Sequence, residues 1–402
     1  MQSTPAAAPA ATPMARDQLA RRAAALAFAT QGMVFISLTT RLPRFSDKWD
    51  LSEVELSLLL LMIVLLAGAG SVVAELVAHR VDSARTLRAG LLTIGIAVPV
   101  LAAAPEVAVF VAALAAYGVG LGMVDATSNM QAVAVEHRYG RPILPSFHGA
   151  WTFGGIIGAS YALAAAHAPL WTAGLVAVVP LAALFAPYLP REHGEALAEA
   201  AQVAVPWRPI LLVGLGMVLF YMVDTAAQTW GPTFLDDVVG APQGLVALAT
   251  LPYLVASLAM RLAGDSLVLR YGATPVLRTG AVVASLALLV VVTSPTWPVA
   301  VVGFTLLGAG VSVIAPLSFS AAARIAGGEQ ARVDAVIARF NQFNYVGGLL
   351  GAVLTGLVGA GSLRLGFAVP MVLILGILPL APAFAPAGTV TAPAPQPIDP
   401  TV

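Results

Sequence analysis

Apolar runs of bilayer-crossing length, separated by short polar breaks, occupy almost the whole chain. A membrane core takes about 20 apolar residues per helix. On that rule the pattern predicts twelve transmembrane spans, near 22–44, 54–78, 86–104, 107–135, 144–166, 169–189, 209–235, 243–268, 274–293, 298–325, 333–360 and 363–385. One break is long. Residues 191–207 are predicted as a cytoplasmic linker between an N-terminal six-helix bundle (20–190) and a C-terminal one (208–386). The ends, 1–19 and 387–402, are rich in Ala, Pro and Thr with no apolar period, and are predicted as disordered tails.

The polar breaks carry an orientation. An even number of spans puts both termini on one side, and Arg16, Arg21, Arg22, Arg85, Arg88, Arg138, Arg208 and Arg278 fall on that side. Asp47, Asp50, Glu53, Glu106, Asp236 and Asp237 gather on the other. Because cytoplasmic loops carry the excess of basic residues, both termini are expected in the cytoplasm.

The two halves repeat each other. At an offset of 190 residues Glu75, Arg80, Gly90, Gly118 and Gly120 register with Asp265, Arg270, Gly280, Gly308 and Gly310. At 193, Phe147, Gly154, Gly155 and Gly158 register with Phe340, Gly347, Gly348 and Gly351. Two halves in the same orientation are related by an axis along the membrane normal, with a solute site between them near mid-membrane. The expected fold class is therefore all-α integral membrane: twelve transmembrane helices in two pseudo-symmetric six-helix bundles.

Composition narrows the chemistry. The chain is 59% hydrophobic and only 10% charged, against about a quarter charged in soluble domains. Cysteine is absent, which excludes disulfides and thiolate metal sites. Twenty basic and twenty acidic residues leave no basic stripe for nucleic acid. There is no phosphate loop, G-x-S-x-G elbow or metal-ligand cluster, so neither an enzyme nor a cofactor is expected.

Polar residues inside apolar spans are the candidates for function, since an uncompensated charge at mid-bilayer costs about 2.5–3.5 kcal/mol on insertion scales. Asp125 lies near the middle of the fourth span, sharing a helical face with Gly118, Gly122 and Asn129. It suits proton loading and release, or a structural hydrogen bond to a neighbouring helix. Asp224, with Gln228 one turn on, is the acid of the seventh span; it could equally be a packing or capping residue near the outer surface. His148 shares a face of the fifth span with Trp151 and Thr152. The histidine is a candidate donor and the indole a stacking platform for a polar solute, packing being the other reading. Asn341 and Asn344 in the eleventh span suggest a wet cavity or a dry hydrogen-bond cluster. Arg41, at the outer end of the first span, either snorkels or pairs with a buried acid such as Asp224.

Several segments resemble one family. The order of spans and the stretch 261-RLAGDSLVLRYG-272 resemble the major facilitator superfamily, whose loop between the second and third helices of each half reads roughly G-x-x-x-D-R-x-G-R-R. R-L-P at 41–43, D-A-T-S-N-M-Q-A-V-A-V-E at 125–136 and F-H-G-A-W-T-F-G-G-I-I-G at 147–158 are similar to a bacterial YbjJ-like branch near the fucose–proton symporters. The resemblance covers about residues 20–386. It implies a proton-linked acid at the place of Asp125, and at Asp224 an acid six residues before Trp230, where the branch has Glu. It implies a charge latch from Gly264, Asp265 and Arg270 in the second-half loop, echoed by Glu75 and Arg80 in a first-half loop that lacks the glycines. A monomer is the usual state of the superfamily.

The expected function is a secondary active transporter that moves a small, polar solute by alternating access with proton coupling. Its partners would be that solute, protons and the lipid bilayer. Polyspecific efflux, or a non-transporting receptor or scaffold with the same fold, are the competing readings.

Overall fold

A computed structural model describes residues 15–139, 143–190, 207–326, 336, 340 and 342–384. The expected tails (apart from 15–19), the linker up to residue 206, and Asn341 lie outside the described residues. Residues 15–19, expected in the disordered tail, are the first turns of a helix, Ala15–Thr39.

Among the described residues the ordered elements are helical, and nine helical stretches are long and apolar enough to cross a membrane. The N-terminal bundle holds the first span (Ala15–Thr39), the second (Glu53–Arg80), the third (Ser83–Ala103), the fourth (Val107–Tyr139) and the fifth (Leu144–Ala164). Its sixth opens on tight 3-10 turns, Leu170–Ala177, before Val178–Ala183. The C-terminal bundle begins at the seventh span (Trp207–Thr233) and continues with an eighth built from Gln243–Ala249 and Leu251–Tyr271. The ninth is Ala273–Thr293, and the tenth Trp297–Val311 followed by Ile314–Ala326. The eleventh includes Gln342–Leu349, a π-turn at Leu350–Leu354 and Thr355–Gly359; the twelfth starts at Leu363.

Two expected boundaries are corrected. The first span does not run to residue 44: it stops at Thr39, and a short separate helix, Leu42–Trp49, follows with Pro43 in its first turn. Proline lacks the N–H that would continue the preceding ladder, and its ring biases the residue before it away from helix. The expected loop at 261–272 is also helix, from Leu251 to Tyr271, ended by Gly272 at φ +83°. Glycine alone holds that left-handed conformation without a Cβ penalty.

The glycines of the repeat explain how each bundle closes. A Cβ on Gly154 or Gly158 would collide with backbone of the first span at Ala29 or Met33. Their counterparts Gly347 and Gly351 are pressed in the same way against the seventh span at Val218 and Met222. Gly118 touches the second span at Ile63, and Gly308 the eighth at Tyr253. Without a side chain in the way, helix backbones approach closely enough for dispersion to replace the missing hydrophobic force in lipid. The same pairings, first with fifth and seventh with eleventh, thus form in both halves.

Candidate functional site

The two bundles enclose a cavity of about 200 Å³. From the N-terminal half it is lined by Gln31, Asp125, Asn129, His148, Trp151 and Thr152, and from the C-terminal half by Tyr221, Asp224, Gln228, Arg261, Asn344 and Tyr345, with Phe28, Phe35 and Phe220 among its apolar walls. Seven residues named as proton or solute candidates from sequence therefore meet at one place: Asp125, Asp224, Asn129, His148, Trp151, Gln228 and Asn344.

Asp125 is shared between halves. Gln31 of the first span donates to its Oδ1 at 3.2 Å, and the Tyr345 hydroxyl of the eleventh span donates to Oδ2. The Ser71 hydroxyl lies 3.1 Å from the Tyr345 hydroxyl and 3.0 Å from the Gly122 carbonyl, and its one proton goes to one of the two at a time. The carboxyl thus sits in a chain of hydrogen bonds running from the second to the eleventh span. Asn129 shares its cavity face but bonds the backbone: its Nδ2 donates to the Asp125 carbonyl at 2.9 Å.

Asp224 accepts from the Tyr253 hydroxyl of the eighth span. Gln228 sits beside it, nearly fully buried. Arg41 is not its partner. The guanidinium bonds the Ser37 carbonyl at 2.9 Å and hydroxyl at 2.6 Å, and lies 4.8 Å from the Tyr161 ring centroid. The arginine is also buried, 2% exposed, so it does not snorkel. A local carbonyl, a hydroxyl and an aromatic face are its partners within its own half, while its Nη2 is buried without a hydrogen-bond partner.

His148 belongs to both readings made for it. Its ring stacks on Phe319 of the tenth span at 5.7 Å and meets Phe28 edge-on at 5.5 Å, yet it also borders the cavity. Trp151 borders the cavity too, backed by Phe35 at 6.2 Å.

The latch candidates lie away from this cavity. Arg80 is exposed at the end of the second span, and Arg270 lies over the Tyr271 ring at 5.2 Å. Gly264 is buried in the eighth span with Val313 as its near neighbour. The side chains of Glu75 and Asp265, like Asn341, fall outside the described residues.

Arg261 escaped the sequence reading, as did Gln31, Tyr221, Tyr253 and Tyr345. Its Nη1 donates to the Thr152 hydroxyl at 3.0 Å, bridging the eighth span to the fifth. This bridge and Ser71–Tyr345 are symmetry mates. Ser71 registers with Arg261 at the offset of 190 residues, and Thr152 with Tyr345 at 193. A signal for Arg261 did exist: it lies three helical turns before Gly272, too deep to be part of a surface loop.

At the end of the molecule bearing the acidic loops, the halves also touch. Glu53 accepts the Gly361 N–H at 2.7 Å, Ser57 packs on Gly356, and His167 abuts Gly244.

The model of the Major Facilitator Superfamily matches residues 2–142. A transporter of Sinorhizobium fredii, y4wD, described as uncharacterised, is 28% identical over 75% of this chain and 82% of its own length. An uncharacterised MFS-type transporter of Yersinia pestis is 26% identical, with 88% and 92% covered. The chain is thus similar to members of the major facilitator superfamily. Solved superfamily structures share its fold: the nucleoside transporter NupG superposes with a TM-score of 0.68 at 14% identity, covering 92% of this chain and 98% of that one. The fucose transporter FucP in its outward conformation gives 0.62 at 16% identity, covering 91% and 98%. The chain thus shares the fold of twelve helices in two bundles, and over most of its length it is similar to multi-pass membrane transporters.

Proposed function

We propose that the protein is a proton-coupled secondary transporter of a small, polar solute, working by alternating access in the bacterial inner membrane with both termini cytoplasmic. The motifs at Asp125 and His148 favour the YbjJ-like branch within the superfamily.

One observation carries the coupling. Asp125 accepts hydrogen bonds from its own half through Gln31 and from the other half through Tyr345. A carboxylate offers two acceptor oxygens, whereas a carboxylic acid gives up acceptor capacity for one O–H donor. Protonation of Asp125 therefore weakens its grip on Tyr345 and loosens the halves at mid-membrane. Asp224, held by Tyr253, is a second proton site within the C-terminal half. Asn129, His148, Trp151, Gln228 and Asn344 supply the hydrogen bonds and the aromatic face of the solute site, with Asn341 assigned to it from sequence. Gly264, Asp265 and Arg270, with Glu75 and Arg80, act as the latch of the cytoplasmic loops.

The absence of native cysteine makes the test direct. Single cysteines placed beside the cavity and at the Glu53 end are labelled in proteoliposomes across a pH series. Accessibility should shift between the two sets with pH, and Asp125→Asn should hold the low-pH pattern at every pH. An accessibility pattern indifferent to both pH and Asp125→Asn would remove the coupling.

A further inference from the structure

We infer that the solute is an anion, a small hydroxylated carboxylate, and that Arg261 binds its charged group. The inference rests on the transport reading above and specifies the solute class of the same cavity.

Arg261 has no carboxylate within ion-pair distance among the described residues, although Asp224 lines the same cavity. Its Nη1 donates to a neutral hydroxyl, Thr152, and its Nε is buried without any hydrogen-bond partner. Among the described residues it forms no ion pair. A partly buried guanidinium beside the cavity, with donors left unused, favours a ligand that accepts from them. Arginine's planar fork matches a carboxylate through two parallel N–H donors, which makes a carboxylate the fitting ligand for the unused donors.

The scaffold does not require this charge. Ser71 occupies the symmetry-related position and bridges the halves with a hydroxyl, Ser71 to Tyr345, where Arg261 bridges them to Thr152. A serine suffices for a contact of this kind. The guanidinium has been placed in one half only, facing the cavity.

The rest of the cavity describes the remainder of the solute. Trp151, Phe35 and Phe220 offer apolar faces, while Gln31, Asn129 and Asn344 offer amides. A volume of about 200 Å³ falls below the roughly 300–1,000 Å³ of drug-sized pockets. Apolar faces with amide edges in so small a space fit a hydroxylated ring or short chain with one acidic group.

The titratable and charged groups around Arg261 decide when an anion can enter. Asp224 and Tyr221 face it from the seventh span, Tyr253 from its own eighth, His148 from the fifth, Asp125 from the fourth and Tyr345 from the eleventh. An ionised Asp224 would repel the incoming carboxylate and compete for the guanidinium. A protonated Asp224 does neither, so anion and proton load together, and a monoanion carried with one proton moves no net charge.

The experiment measures binding to the purified full-length chain by thermal shift at fixed pH, using matched pairs: glucuronate with glucose, gluconate with sorbitol, and shikimate with its methyl ester. The acidic members should stabilise the protein and the neutral ones should not. Arg261→Gln should weaken acid binding by about tenfold or more. Arg261→Lys keeps the cation and should retain the acid-over-neutral preference with weaker binding, which covers the case in which the glutamine variant fails to fold. Neutral members binding as well as acids, an unchanged preference in Arg261→Gln, or silence from every acid would each overturn the assignment. Acid binding in a protein whose cysteine accessibility ignores pH would leave the anion site standing and remove only the coupling.

Discussion

Tyr345 of the eleventh span donates its hydroxyl proton to the Asp125 carboxyl of the fourth, joining two residues 220 positions apart across the interface between bundles. A hydrogen bond to a charged group contributes about 1.5–3 kcal/mol. Tyr345→Phe removes the donor while leaving the ring, and should shift the ratio of closed to open states by about tenfold or more toward separation at mid-membrane. Cysteine labelling at a cavity position reads that shift directly. An unchanged labelling rate would mean that the bond does not hold the halves together.

The repeat glycines give a stability prediction with a built-in control. Gly154→Ala and Gly347→Ala each push a methyl into backbone or side-chain atoms of a neighbouring helix, Ala29 in one half and Val218 with Tyr221 in the other. Overpacking of this kind costs about 1–3 kcal/mol, so both variants should melt lower in detergent and by similar amounts. Gly149→Ala, whose new Cβ meets nothing within 4 Å, should melt at or slightly above the parent.

His148 separates packing from binding. Its stacking on Phe319 and Phe28 resembles aromatic pairs that contribute about 0.5–1.5 kcal/mol. His148→Ala should lower both the melting temperature and the affinity for solute. His148→Phe should restore the first and not the second, because it refills the stack without a hydrogen-bonding nitrogen. Recovery of both would make the histidine a packing residue.

The contact between Glu53 and Gly361 holds the acidic ends of the two bundles together. Glu53→Ala deletes the acceptor and should raise labelling of a cysteine placed in the cavity by a membrane-impermeant reagent added from that side. Glu53→Gln keeps an acceptor oxygen and should stay near the parent rate.

Much of the polar lining of the cavity was visible before any fold was known, for one physical reason. Polar groups in a bilayer-length apolar run are costly, so Asp125, Asp224, Gln228, His148 and Asn344 announce a wet or paired environment wherever they pack. Arg261 was overlooked although it falls within the predicted eighth span, because residues 261–272 were read for their likeness to a loop motif; the helix continues to Tyr271. Tyr253, Tyr345 and Gln31 give no such signal: a tyrosine or a single amide is an ordinary residue in a membrane helix, and only its partner marks it. Arg41 shows the opposite error. Its partners turned out to be Ser37 and Tyr161, in its own half, rather than an acid in the other.

The sequence by itself determined the number of spans, their division into two halves and the glycine register that repeats between them. Those are properties of hydrophobic length and of residues close along one helix. Which faces meet was decided only by tertiary structure, because a helix of uniform apolar character carries no local instruction about its neighbour. The pairing of Asp125 with Tyr345, and the placement of Arg261 against Thr152, depend on helices brought together from opposite halves of the chain. Local pattern put charge inside the membrane; long-range packing determined which groups each charge meets.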